Sequence, residues 1–449
     1  MTSYHLASVA DKIVLDPQGS ILLQGYVLDR TYLKGTLEKL GLGFDEWRFF
    51  KYKSANETFS RDSMSEADHK QLQAYVDDWY ELTRAEVCSS RFLSQQTFDQ
   101  LIDEETYFMP EEALESGLVD TLARWSEIDG IVKSTTGTSK KALSANSLLA
   151  SALPQQNWGE LPKVAVVYGL GVCALDEGIK ARWLEGVFLA LKENKSVKAV
   201  VFRVDSPGGD GMASDLVAEA LKKCSESKPV IISQGQVAGS GGYWISMYGD
   251  QIVAGPNTVT GSIGVIGGWV YDKGLSEKIG MTSDLVRRGK HADLGHGVSI
   301  PYLNLEIPAR NLTPEERAEV EEIMKKSYHI FVKKVAEGRG LSEEKVREIA
   351  EGRVYSGIDG QENGLVDEIG GLLTAIALAK EKSGLEPTDE VQIVEIPEHE
   401  GLFDLREQFS PVALKTSEAP VMQFLKILSE HPGEPMFMML PGTYPSADR

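Results

Sequence analysis

Two apolar runs that each break into a glycine-rich turn constrain this chain more than any other feature. Residues 199–204, Ala-Val-Val-Phe-Arg-Val, end in Asp205-Ser206-Pro207-Gly208-Gly209. Val230-Ile231-Ile232 lead into Ala238-Gly239-Ser240-Gly241-Gly242. Helical patterns follow both turns, over residues 213–224 and 241–248. Together with a strand at 164–168 and a helix at 182–192, this alternation predicts a parallel sheet covered by helices, an α/β fold. Two strand ends with glycine turns then meet on one edge of that sheet. Ser240 falls at a strand-to-helix corner, where its hydroxyl is exposed and the helix N-terminus favours developing negative charge. The other turn can supply fixed N–H donors, which acyl transfer needs before its oxyanion forms. The backbone N–H groups of Gly208 and Gly241 are the candidates. A plain tight turn with a capping serine would leave the same pentapeptide.

The chain also repeats itself. Tyr4 to Pro17 matches Tyr243 to Pro256 at an offset of 239, and Lys34-Gly35, Glu38-Lys39 and Gly41 recur at Lys273-Gly274, Glu277-Lys278 and Gly280. Gly117-Leu118-Val119-Asp120 recurs at Gly364-Leu365-Val366-Asp367, now at 247. A duplicated unit explains this, with about eight extra residues in the second copy near 291–311. The boundaries read as a partial first copy at 1–133, a Ser/Thr/Ala-rich linker at 134–162 with a short helix inside 143–153, a second copy at 163–400 and a tail at 401–449. Residues 436–440 in that tail form an apolar run suited to an edge strand or a groove. Ser240 less 239 lands on Met1, so the first copy lacks the strands and turn that precede the serine. Exposed apolar surface on that half is the expected consequence, and a version extended upstream is expected to be more stable. Each copy carries an amphipathic helix. One is capped by Ser65 and carries Leu72, Val76, Trp79 and Tyr80. The other opens at Thr313-Pro314-Glu315-Glu316 and carries Val320, Ile323, Met324, Phe331 and Val335.

Composition excludes several classes. A net charge of −21 argues against nucleic acid as a partner. Cys88, Cys173 and Cys224 are scattered, and the seven histidines form no His-x-x-x-His pair. Neither a disulfide framework nor a metal site is expected, and no cofactor is. No basic leader and no apolar run long enough to span a bilayer is visible.

Ser206-Pro-Gly-Gly, Ala238-Gly-Ser-Gly-Gly-Tyr-Trp and Thr260-Gly-Ser-Ile-Gly-Val, in this order and spacing, resemble the signal peptide peptidase A (protease IV) family, the S49 serine peptidases. The likeness is strongest over residues 163–371. It implies a Clp protease/crotonase-like fold, internally duplicated with the first copy incomplete. It further implies cleavage of signal peptides or other short apolar peptides, association with a membrane, and a homo-oligomer, a tetramer by that likeness. The long forms of the family usually carry an N-terminal anchor, which is not seen here.

The resemblance also implies the base. Family members use a lysine, which must be desolvated to lose its proton near neutral pH. The matching motif is Lys51-Tyr52-Lys53-Ser54-Ala55, in the first copy. Single-copy members place this lysine in Gly-x-His-Lys-Asp. The second copy reads Gly289-Lys290-His291-Ala292-Asp293, with Ala292 at the lysine position, and the offset of 239 carries Ala292 onto Lys53. Lys53, not Lys290, is therefore the expected base. Ser262, 22 residues after Ser240, matches the serine that holds the amine. His291 and His296 read as loop residues, and Asp205 as a residue that structures its own turn. Two other readings stay open: a crotonase-type acyl-CoA enzyme, which would need a carboxylate base, and a catalytically silent scaffold. A phage capsid-maturation peptidase is disfavoured by the duplication.

Overall fold

The computed structural model describes residues 1–137, 160–300, 305–386 and 388–397. Most of the expected linker, its short helix, the tail at 401–449 and the apolar run at 436–440 lie outside the described residues. The chain divides into two compact units, one of Met1–Asp29 with Gln73–Glu160 and one of Arg30–Leu72 with Leu161–Arg449. This division departs from the boundaries read from the repeat, because Arg30–Leu72 folds with the second copy. The cause is a strand pairing. β1 (Leu42–Trp47) runs antiparallel to a strand at Gly267–Asp272. Trp47 stacks on Trp269 at 5.9 Å, Asn56 donates to the Gly267 carbonyl at 2.8 Å, and Arg317 pairs with Asp45.

The larger unit continues through β2 (Lys163–Leu170), α1 (Ala181–Glu193), β3 (Val197–Ser206), α2 (Gly211–Ser225), β4 (Val230–Gly239), α3 (Gly241–Trp244), β5 (Gln251–Ala254), β6 (Val259–Gly261) and β7, the strand at Gly267–Asp272. α4 (Pro314–Arg339), β8 (Val354–Tyr355), β9 (Glu368–Ile369), α5 (Leu372–Lys382) and β10 (Gln392–Ile396) follow. The main sheet has the order β8-β6-β4-β3-β2-β10, with β5 pairing β4 and β9. All its pairings are parallel except β6 with β8.

Helices cover both faces, which is why the strands read as unbroken apolar runs. Val164, Val166, Ala199, Val201, Ile231 and Val253 face one side and pack on Ala375 and Ala379 of α5. Their neighbours Ala165, Val167, Val200, Phe202, Val230 and Ile232 face the other, against Leu184 and Phe188 of α1 and Val217 and Leu221 of α2. Phe202 is fully buried, edge-on to Phe188 with centroids 5.0 Å apart. Phe202→Ala is expected to cost about 3–5 kcal/mol in urea unfolding; a loss below about 1 kcal/mol would contradict this packing.

Three local expectations shift. β4 runs six residues beyond 233, to Gly239, because neighbouring strands pair residues that carry no apolar signal. The helix after Ser240 ends at Trp244 and gives way to turns, rather than reaching 248. On α4, capped by Thr313 as read, Ile323 is 61% exposed, while Val332 joins Met324, Phe331 and Val335 in the core.

The smaller unit has its own core, centred on Leu23, Phe98, Phe108 and Leu118. It exposes Leu6, Val9, Val27, Phe92 and Trp125. Its internal bonding duplicates that of the larger unit. The Tyr4 hydroxyl donates to Leu118 O at 2.8 Å, as Tyr243 does to Leu365 O at 2.9 Å. Asp120 accepts from Ile13 N at 2.6 Å, as Asp367 does from Ile252 N at 2.7 Å. Arg91 binds Gly117 O and Asp120, as Arg339 binds Gly364 O and Asp367. Val14 and Leu15 pair with Thr121 and Leu122 in the register in which Val253 and Ala254 pair with Glu368 and Ile369. Where the offset drifts, the second copy has a hairpin of Gly297–Ile300 against Leu305–Pro308. No helix among the described residues is long and apolar enough to cross a membrane.

Candidate active site

Ser240 owes its position to a divided strand. Ile231 to Gln234 of β4 pair with β5, and Val237 to Gly239 pair with β6. On the β3 side the register jumps, with Val204 opposite Gln234 and Ser206 opposite Ala238. Such a bulge bends a strand and re-aims its end. Asp205 fills it: its carboxylate accepts from Gln236 N at 3.2 Å and Val237 N at 3.1 Å. Only glycine fits at 235, where a Cβ would lie 2.7 Å from Asp205 Oδ2. This corrects the sequence reading, since Asp205 holds the neighbouring strand rather than its own turn. The signal was not local, because the bonded partners lie 31 and 32 residues away.

Beyond the bulge Ser240 adopts φ 55°, ψ −118°. These are the dihedrals of the first central position of a type II′ turn, ordinarily taken by glycine, and they cost about 1–3 kcal/mol for another residue. Its N–H is tied to Gly261 O at 2.9 Å and its carbonyl accepts from Trp244 N at 2.9 Å, so the conformation is fixed from both sides.

Gly241 is the first residue of α3, so its N–H has no intrahelical acceptor. Gly208 sits against it with φ 101°, and a Cβ there would lie 2.6 Å from Gly241 N. The two candidate donors are thus neighbours. The Gly208 N–H, however, donates to Ser206 Oγ at 3.2 Å. Sequence reasoning missed that hydroxyl, as it missed Cys173, whose N–H donates to Gly208 O at 2.9 Å from below the turn.

Lys53 lies on the loop after β1 and is 7% exposed. Its Nζ donates to Ser262 O at 2.8 Å and Ser262 Oγ at 2.9 Å. Burial holds the amine well below its ordinary value, at about 7. Ser262 follows β6 with φ 52°, anchored by its N–H on Arg353 O at 2.7 Å. Lys53, Ser240, Gly241 and Ser262 line one cavity of about 340 Å³, together with the apolar side chains of Leu72, Met212, Trp244, Ile266 and Ile330.

The helix from Glu66 to Arg91 contributes to this cavity in a way its apolar pattern did not reveal. Leu72, Val76, Trp79 and Tyr80 are only half-buried, whereas Asp68, Gln71 and Tyr75 are buried at helical spacing. A reading keyed to apolar residues passes over a buried stripe that is partly polar.

The competing candidates lie elsewhere. Lys290 is exposed, His291 pairs with Glu316 at 2.6 Å and His296 with Glu306 at 3.2 Å, and none of the three lines the cavity. Asp210 is the one carboxylate among the described residues that line it, and its side chain caps α2 by accepting from Ala213 N at 2.7 Å. That carboxylate is thus engaged in holding the start of α2.

Comparison with known proteins adds to this geometry. The model of a family described as Peptidase family S49 matches residues 1–135 and 222–386, one stretch in each copy. The chain is 31% identical over 409 residues to the chloroplastic serine protease SPPA of Arabidopsis thaliana, covering 88% of this chain and 59% of that one. It is 32% identical over 401 residues to protease 4 of Salmonella typhi, covering 85% and 62%. Protease 4 of Haemophilus influenzae is 29% identical over 399 residues, covering 84% and 62%. The chain thus spans about six-tenths of the length of these relatives.

Proposed function

The chain belongs to peptidase family S49, with the Clp protease-like α/β fold of that family, and on that premise we propose that it is a serine endopeptidase working with a Ser240–Lys53 dyad. The observation that carries this reading is the dry amine of Lys53, held by Ser262 in the cavity that Ser240 also lines. A neutral amine has two N–H donors and one lone pair. Both donors are engaged by Ser262, which leaves the lone pair to accept the Ser240 proton. The Ser240 oxygen then attacks the peptide carbonyl, and the charge on the carbonyl oxygen develops beside Gly241 N–H at the helix start. Gly208 N–H joins it when it turns from Ser206. Lys53 passes its proton to the departing amine, and water repeats the cycle on the acyl-enzyme.

The apolar lining supports a substrate with apolar side chains, and the family points to signal peptides or other short apolar peptides. A homo-oligomer and a place at a membrane belong to the same proposal, carried by the family alone. The test is labelling with a fluorophosphonate. One adduct is expected, on Ser240, with labelling rising from pH 6 to pH 8 as Lys53 loses its proton. Absence of an adduct at pH 8 in protein folded by circular dichroism would favour the silent scaffold.

A further inference from the structure

Lys53 carries the proposed chemistry, but the contacts that hold its loop come from elsewhere. The Gln71 side chain is 4% exposed and makes four hydrogen bonds. Its amide nitrogen, with two hydrogens, faces three acceptors and shares one hydrogen between two of them: Tyr52 O at 3.1 Å, Ser54 Oγ at 3.0 Å and Asp68 Oδ1 at 2.8 Å. Its amide oxygen accepts from Val354 N at 3.2 Å. Tyr52 and Ser54 flank Lys53. Val354 pairs with Gly261 across β8 and β6, and Gly261 immediately precedes Ser262. The same Gly261 carbonyl accepts the Ser240 N–H. One amide thus ties the loop that bears the base to β8, the strand paired with the one that leads into Ser262.

We propose that Gln71 is a positioning residue that clamps the Lys53 loop to β8, and through it to the Ser262 strand, keeping the amine on Ser262 and sealed from water through the catalytic cycle. The inference rests on the Ser–Lys reading above. Its chemistry requires an amide. An apolar side chain of the same shape would leave the Val354 N–H without its Gln71 acceptor and the Tyr52 carbonyl with the Ser54 N–H alone, at 2.8 Å. A carboxylate could accept from Val354 but could not donate to Tyr52 O.

The charged and titratable groups facing the clamp are few. Asp68 lies on the same helix and also accepts the Ser54 hydroxyl. Arg30, nearly buried, donates to Ser54 O at 2.6 Å and lies 3.4 Å from Asp68. Just before β8, the Arg353 guanidinium lies over Tyr52 at 5.6 Å and Tyr355 at 4.9 Å. Asp68 and Arg30 offset each other, so water exclusion governs the protonation of Lys53, and burial is the resolved cause of its lowered value.

The sign follows. Loosening the clamp hydrates the amine and favours its charged form, so the pH at which it loses its proton rises. A negative charge in place of the amide raises it further.

The experiment compares Gln71→Met, Gln71→Glu and the milder Ser54→Ala with the unmodified chain. Two quantities are read: the acid limb of kcat against pH, and the pH midpoint of Lys53 dinitrophenylation with fluorodinitrobenzene, read by mass spectrometry. The second needs no activity, so a failure of the Ser–Lys reading would show in turnover alone. Gln71→Met is expected to lower kcat at pH 7 by about 10–100-fold with KM within twofold, and to move both midpoints up by about one unit. Gln71→Glu is expected to move them further, and Ser54→Ala less. Phe202→Ala is the control for simple destabilisation, lowering Tm without moving either midpoint. Unmoved midpoints in Gln71→Met, whatever its Tm, would reduce Gln71 to a packing residue and overturn the proposal. If Gln71→Met does not fold, unmoved midpoints in both Gln71→Glu and Ser54→Ala would do the same.

Discussion

Ser240→Ala is expected to lower peptide hydrolysis by about 10⁴–10⁶-fold and to abolish fluorophosphonate labelling, with little change in Tm. The size follows from covalent catalysis: without the hydroxyl no acyl-enzyme forms, and only binding and fixed donors are left. The small Tm change follows from the backbone. Alanine keeps the same strained φ of 55°, and the hydroxyl forms no side-chain cap on α3. Ser240→Gly separates the two roles further. It should be equally inactive yet more stable by about 1–3 kcal/mol, because glycine adopts this φ without strain. Hydrolysis by purified Ser240→Ala at more than a hundredth of the unmodified rate would remove Ser240 from the mechanism.

Lys53→Ala is the second large effect, expected at about 10²–10⁴-fold in kcat, the usual worth of a general base. Lys290→Ala should stay within about twofold, since Lys290 is exposed and outside the cavity. The pH dependence carries a definite sign. The Lys53 amine is active when neutral and is held at about 7, so kcat/KM should rise tenfold per pH unit below that value and level off above it. A solvated lysine would instead keep the rate climbing past pH 9. Near-normal turnover by Lys53→Ala with a crippled Lys290→Ala would transfer the role to Lys290.

The sequence by itself was sufficient for the features that local rules encode. Val230 to Gly242 reads as a strand, a turn and a helix start from its apolar run and glycines, and Ser240 stands at that corner. The duplication was legible from the offset alone, as was the place of the extra residues; that these form a hairpin, and that the two copies repeat their Tyr–carbonyl and Asp–amide bonds, came from the structure. Only the tertiary structure decided which parts of the copies fold together. Lys53 meets Ser262 across 209 residues, and it does so because β1 pairs with β7, a choice of edge and register that no window of sequence specifies. The strand-bending role of Asp205, the Ser206 hydroxyl on Gly208 N–H and the Gln71 clamp were hidden for a related reason. Each is a polar group that acts through bonds to backbone atoms, Gln71 through Tyr52 O and Val354 N. A backbone N–H or carbonyl is the same at every position, so the residue letters do not record where it will be met.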